Sequence, residues 1–331
     1  MVAGQADLAV FWLLLVAVQA LALAVDALCG EPRRWHPLVG FGALVACCEV
    51  RYNGGRHPRL AGTLVWLGLV GIPVIILAAL LSWLWQWNGW AFWAVNLGVL
   101  YFALGLRSLA EHADRVAAPL RRGDLAAART AVGWLVSRDT RALDATQVSK
   151  ACVESVLENG NDAVFAALFW FALAGAPGAL AWRLANTLDA CWGYRSPRLR
   201  QFGWAAARAD DLLAYLPARI CAFCYALAGA SGPAFAAWRR MAQWRRAPEA
   251  APASPNAGIV MATGAGALRV RLGGPAFYAG ERVFKVPLGL DTAAEADVGT
   301  IGRSIRLLRR AVGIWLAVQF FLGAGLYGVL R

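Results

Sequence analysis

Leu60-Ala-Gly-Thr-Leu-Val-Trp-Leu-Gly-Leu-Val-Gly-Ile-Pro-Val-Ile-Ile-Leu-Ala-Ala-Leu-Leu-Ser-Trp-Leu-Trp85 runs without one ionisable side chain. A helix needs roughly 20 apolar residues to cross a hydrocarbon core, and this run is long enough. Further apolar runs lie at Leu8–Leu28, Trp90–Leu106, Ala163–Leu184, Leu212–Ala230 and Val312–Leu330. Composition agrees: of 331 residues, 60% are hydrophobic and 16% charged, and mean hydropathy is +0.52. Such a chain reads as an all-α, polytopic integral membrane protein, with one embedded domain over 1–331. In lipid, the helix satisfies its backbone polar groups internally, which favours it over open strands. Met1–Asp7 carries no Lys or Arg, so the first run reads as a retained span and not as a secretory signal.

Charge supplies the orientation. The N-terminus carries only Asp7, whereas the loop after the first span carries Arg33, Arg34, Arg51, Arg56 and Arg59. The positive-inside rule therefore places the N-terminus outside and this loop in the cytoplasm. Runs 60–85 and 90–106 form a hairpin around Gln86–Gly89, with Trp83, Trp85, Trp87 and Trp90 at the outer interface. The expected spans are 8–28, 60–85, 90–106 and 312–330. A full crossing by 163–184 would leave Arg195, Arg198, Arg200 and Arg208 outside, against the bias. Gly175-Ala-Pro177-Gly178 favours a mid-run break, giving two half-length helices that enter and leave on one face. Run 212–230, interrupted by Pro217 and Arg219, raises the same question. About four to six membrane helices are expected, one or two of them re-entrant or half-buried. Residues 247–256 read as a Pro-rich loop, and the stretch from Gly274 to about Asp297 as irregular.

Several function classes are excluded. The net charge of +12 is almost all arginine, spread over loops between spans, which is a poor footprint for nucleic acid. Cys221-x2-Cys224 has no second pair, so the cysteines read as packing. There is no Gly-x4-Gly-Lys-[Ser/Thr] and no Gly-x-Ser-x-Gly, and Thr263-Gly-Ala-Gly-Ala lacks a strand–helix setting. Phosphate binding would rely on arginines and helix N-termini.

Charge is expensive in a bilayer and usually functional there. Between Ser137 and Arg219 it is clustered. With Lys150–Asp162 helical, Glu154, Glu158 and Asp162 fall within roughly 80° of one another. Stacked carboxylates need a cation or a basic partner. Hard oxygen ligands suit Mg²⁺, while a solvated face satisfied by Arg138 or Arg141 is an equal alternative. Arg208-x-Asp210-Asp211 is a second acidic point, weak alone. Asn186 and Asp189 lie one turn apart on a helix that Trp182 and Leu188 suggest is partly buried, and a buried carboxylate there needs a partner, with Arg183 or Arg195 at hand. His36, before Pro37, reads as a loop hydrogen-bonder, and Asp26 as a solvated residue at a span end.

Six blocks occur in order: Gly30-Glu31-Pro32 with His36-Pro37; Val136-Ser-Arg-Asp-Thr140; Glu154-x3-Glu158-Asn159-x2-Asp162; Asn186-Thr-Leu-Asp189-x3-Gly193-Tyr194; Ala207-Arg208-x-Asp210-Asp211-x5-Pro217-Ala-Arg219; and Ser254-Pro-Asn-Ala-Gly258. Together they resemble the membrane protein family of cobalamin biosynthesis called adenosylcobinamide-phosphate synthase (CbiB/CobD), from about residue 20 to 300. Ala214 departs from that pattern, where an asparagine commonly follows the Asp-Asp pair. Residues 261–267 also depart, carrying an apparent insertion.

The resemblance implies an acid–amine ligase of the bacterial inner membrane, its active face cytoplasmic. That ligase joins adenosylcobyric acid to (R)-1-amino-2-propanol O-phosphate at the expense of ATP, giving adenosylcobinamide phosphate. Mg²⁺ would go to Glu158, Asp162, Asp210 and Asp211, and phosphates to Arg138, Arg208 and Arg219. Glu154 or Asp139 would act as base. Asn159, Asn186 and Tyr194 would orient substrate, alongside His36, Ser137, Thr140, Asp189, Arg195 and Asn256. Membrane lipid and other cobalamin-biosynthesis enzymes are the implied partners. Two alternatives stand beside this reading: a transporter with a polar path between broken helices, and a regulatory relative without chemistry.

Overall fold

The computed structural model describes residues 2–32, 37–194, 196–244, 254, 256–278 and 281–329. Along the chain run α1 (Val2–Cys29), α2 (Pro37–Tyr52), α3 (Pro58–Trp87), α4 (Gly89–Ala103), α5 (Leu106–Arg121), α6 (Leu125–Val132) and α7 (Ala145–Gly160). A π-helical turn, Asn161–Phe165, leads into α8 (Ala166–Trp192). Then follow α9 (Trp204–Leu213), α10 (Tyr215–Ala228), α11 (Ser231–Trp244) and α12 (Ala257–Leu268). Strands β1 (Val270–Tyr278), β2 (Glu281–Leu288) and β3 (Ala294–Glu295) precede α13 (Val298–Val329). The polytopic helical architecture stands. The contacts form two compact units: Met1–Leu106 with Asp162–Ala214 and Val318–Arg331, and Arg107–Asn161 with Tyr215–Ala317.

In the first unit, α1 and α3 are long and apolar enough to span, and α4 is the apolar first half of a third such stretch, Gly89–Arg121. Asn88 ends α3 and begins α4, its side chain accepting the Ala91 N–H at 3.0 Å, so the turn between them is as short as expected. The aromatic belt is open to its surroundings, with Trp87 75% and Trp90 89% exposed. In lipid, apolar burial gives helices little reason to associate, so polar contacts matter more. Gln19 of α1 and Gln319 of α13 exchange reciprocal amide hydrogen bonds at 2.9 and 3.1 Å, both side chains buried. An apolar cluster of Val45, Val70, Leu184, Leu188, Trp192 and Phe202 fastens α2 and α3 to α8. Asp26, expected to be solvated, is instead buried, at 1% exposed.

Helix α8 carries the decisive feature of this unit. Ala174 and Gly175 leave helical geometry, Gly175 with φ +61° and ψ −151°. On a straight helix, residues 162 and 182 would lie ~30 Å apart. Yet the Trp182 indole N–H donates to the Asp162 carbonyl at 2.9 Å. The chain therefore doubles back at Gly175, and Ala163–Leu184 is a helical hairpin, not one straight helix. Asn96 of α4 caps the break, its Oδ1 accepting the Ala176 N–H at 2.9 Å in a buried setting. The second suspected break falls at Ala214, before α10, and not at Pro217 or Arg219. Pro217 sits in the first turn of α10, where no partner is required of its missing N–H.

In the second unit, the buried apolar helix α12 packs against α7, α10, α11, β1 and β2. Asp144 and Gln147 form a reciprocal capping box at 2.8 and 2.9 Å that starts α7. The region from Gly274 to Asp297, expected to be irregular, contains a small sheet of order β2-β1-β3, with β1 and β2 antiparallel. Its register breaks between Leu272 and Gly274, where Gly273 and Gly274 adopt φ +70° and +87°.

Candidate functional site

In the second unit, sequence-predicted residues converge on one polar cavity of about 140 Å³. It is lined by Ser137 and Arg138 from the loop after α6, and by Glu154, Glu158 and Asn159 from α7. Ser155 and Met261 also line it, and the sequence alone does not single them out. At its wall, Arg138 Nη2 pairs with Glu154 Oε2 at 2.8 Å, the two side chains only 8% and 7% exposed. Glu154 Oε1 accepts the Gly273 N–H at 2.7 Å. The glycine bulge in β1 frees that N–H from the ladder and turns it toward α7. Both oxygens of Glu154 are thereby held, and Arg138 is fixed in place. The buried Nε of Arg138 has no hydrogen-bond partner. A buried donor without a partner is costly, and an oxyanion such as a phosphate would satisfy it.

Asp139 and Thr140 do not line this cavity. Asp139 pairs with Arg141 at 2.7 Å, and the hydrogen bonds from Arg141 pull its carboxyl down to about 2. A carboxylate held that low is a weak proton acceptor at neutral pH. Elsewhere in the unit, Arg219 Nη1 donates to Asn256 Oδ1 at 2.6 Å, and its guanidinium stacks 3.6 Å over the Tyr215 ring. Asn256 is buried at the start of α12.

In the first unit, the fold-back of α8 brings Arg183 within electrostatic reach of Asp162 and Glu31. Asn186 Nδ2 donates to Asp210 Oδ1 at 3.1 Å, and Asp210 also feels the charges of Asp189 and Asp211. Arg208 approaches Asp211 only to 3.8 Å. The amide of Asn186 is thus engaged by Asp210. Tyr194 is largely exposed. His36 and Arg195 lie outside the described residues. Among the described residues, no three His, Cys, Asp or Glu side chains gather as a metal cage would require. Asp210 and Asp211, with Asn186 beside them, are hard oxygen donors of the kind Mg²⁺ takes in ones or twos together with substrate phosphates.

A family model described as CobD/Cbib protein matches residues 19–308. Cobalamin biosynthesis protein CobD of Stutzerimonas stutzeri (strain A1501) is 52% identical over 309 residues, covering 92% of this chain and 97% of its own. The protein of the same name from Chromobacterium violaceum is 49% identical, covering 90% and 94%. Cobalamin biosynthesis protein CbiB of Salmonella typhimurium is 36% identical, covering 93% and 98%. No solved structure matches the chain. Matched from Gln19 to Leu308, with relatives aligned over nearly their whole lengths, the protein belongs to the CobD/CbiB family.

Proposed function

We propose that this protein acts in cobalamin biosynthesis as an ATP-dependent amide ligase, joining adenosylcobyric acid to (R)-1-amino-2-propanol O-phosphate. The observation that carries the reading is the family-motif cavity of α7, with its buried Arg138–Glu154 pair and unsatisfied Arg138 Nε. A carboxylate does not react with an amine until activated, and an acyl phosphate is the expected activated form. That chemistry requires phosphate ligands, charge neutralisation and a proton acceptor.

Arg138 holds a phosphoryl oxygen through its unpaired Nε. Glu154 positions Arg138, since both of its oxygens are already engaged. Glu158, one turn further along α7 and lining the same cavity, presents its carboxylate to substrate. Arg208 and Arg219 are the remaining phosphate ligands of the proposal. Mg²⁺ would be held by carboxylates of the first unit, among Asp162, Asp210 and Asp211, and when bound would neutralise phosphate charge. Asn159, Asn186 and Tyr194 orient substrate. The active face lies toward the cytoplasm of a bacterial inner membrane, where other enzymes of the same pathway would meet it.

Purified protein in detergent or nanodiscs tests this directly. ATP consumption should depend jointly on adenosylcobyric acid and aminopropanol phosphate, with adenosylcobinamide phosphate formed in step. Absence of amide product with both substrates, ATP and Mg²⁺ present would overturn it.

A further inference from the structure

Arg56, just ahead of α3, and Arg59, in its first turn, belong to no motif above, and they border an open groove of about 590 Å³. Its walls include Arg56, His57, Arg59, Leu60, Thr63 and Gln201. Arg56 and Arg59 are both exposed, and among the described residues neither has an acidic partner. The nearby acid of α2, Glu49, is already held by Arg198 at 2.7 Å. Arg59 stacks 3.7 Å over the indole of Trp204, which fixes the guanidinium plane and leaves its edge for an oxyanion. Arg59 is thus oriented, and both cations are uncompensated and set at the end of a candidate membrane span.

Below it, the surface changes character at once. Leu60, Leu64 and Leu67 follow one another down the same face of α3, 59%, 59% and 52% exposed. Gly71, on that face a turn lower, has open space where a side chain would stand. A water-soluble phosphate would use only the arginines. A ligand carrying both an anionic head and an acyl chain would use the whole surface.

We propose that this groove is a binding site for an anionic phospholipid, its phosphodiester on Arg56 and Arg59 and an acyl chain along Leu60, Leu64 and Leu67. Basic residues at a membrane surface attract anionic lipid by an amount corresponding to roughly 5-fold in affinity per arginine. Native mass spectrometry of the full-length protein, titrated with phosphatidylglycerol or phosphatidylcholine, tests it. Wild type should retain phosphatidylglycerol over phosphatidylcholine, and R56Q/R59Q should lose about 30-fold of that retention. R122Q, which removes an exposed arginine of the second unit, should keep it. Unchanged retention in R56Q/R59Q would overturn the site, as would an equal loss in R122Q, which marks unspecific charge attraction. Glycerol phosphate binding as tightly as the lipid would identify a soluble phosphate ester as the occupant and sink the lipid assignment. Amide synthesis plays no part in this readout, so its outcome is independent of the ligase reading.

Discussion

The buried pair of Arg138 and Glu154 concentrates most of the risk in the second unit. Removing one member leaves the other charged and unpaired in a dry wall. Glu154→Ala should therefore destabilise by about 3–5 kcal/mol, read as a lowered thermal transition in detergent, whereas replacing both partners by apolar residues should restore much of it. Glu158 lies in the same cavity and is less buried. Glu158→Gln should lower amide synthesis by roughly 10²–10⁴-fold while the protein still inserts and elutes as wild type. Near-normal turnover in Glu158→Gln would reduce that carboxylate to structure. For Asp139, the sign follows from its lowered value. The folded state favours the ionised form, so its stabilisation is complete above the ordinary carboxylate range and fades only as pH falls toward about 2. Asp139→Asn should leave the shape of the pH–rate profile unchanged from about pH 5 to 9. A displaced acid limb would show that Asp139 titrates during turnover.

At the scale of elements, glycine geometry and one amide hold the helical hairpin of α8. Gly175 occupies a backbone region that is essentially glycine's alone, and a Cβ there would stand 3.0 Å from Asn96 Oδ1. Gly175→Ala should cost about 1–3 kcal/mol, and Asn96→Ala a similar amount by orphaning the buried Ala176 N–H. Both are readable as lowered detergent-melting temperatures. The hairpin was legible in outline, because Gly175-Ala-Pro177-Gly178 interrupts a run whose full crossing would violate the charge bias. Its cap was not, because Asn96 lies in another span and only packing brings it to the break. The small sheet escaped notice for a related reason. Glycines at 273 and 274 read as irregular chain, yet they form the bulge that points a backbone N–H at Glu154. The π-turn at Asn161–Phe165 is equally invisible in sequence, since no residue type there marks a departure from the 3.6-residue period.

For the molecule as a whole, the bilayer fixes what sequence can say. Spanning α3 predicts that single cysteines at 54 and 88 label from opposite faces of the membrane, 54 from the cytoplasm. Labelling of both positions from one side would remove α3 as a span. Apolar length, aromatic belts and arginine bias determined the spans and their expected orientation, because a bilayer penalises misplaced charge and unpaired backbone wherever they occur along the chain. Ordered motifs likewise pointed to the family and to the residue types of the site. Tertiary structure alone decided which acids meet which bases. Arg138 was one of two arginines offered to the α7 carboxylates, and packing gave Glu154 to it and Arg141 to Asp139. Asn186 found Asp210 because Gly175 folds α8 back and α9 packs against it. Such pairings depend on distances through space between residues far apart in the chain, which no local period or composition encodes.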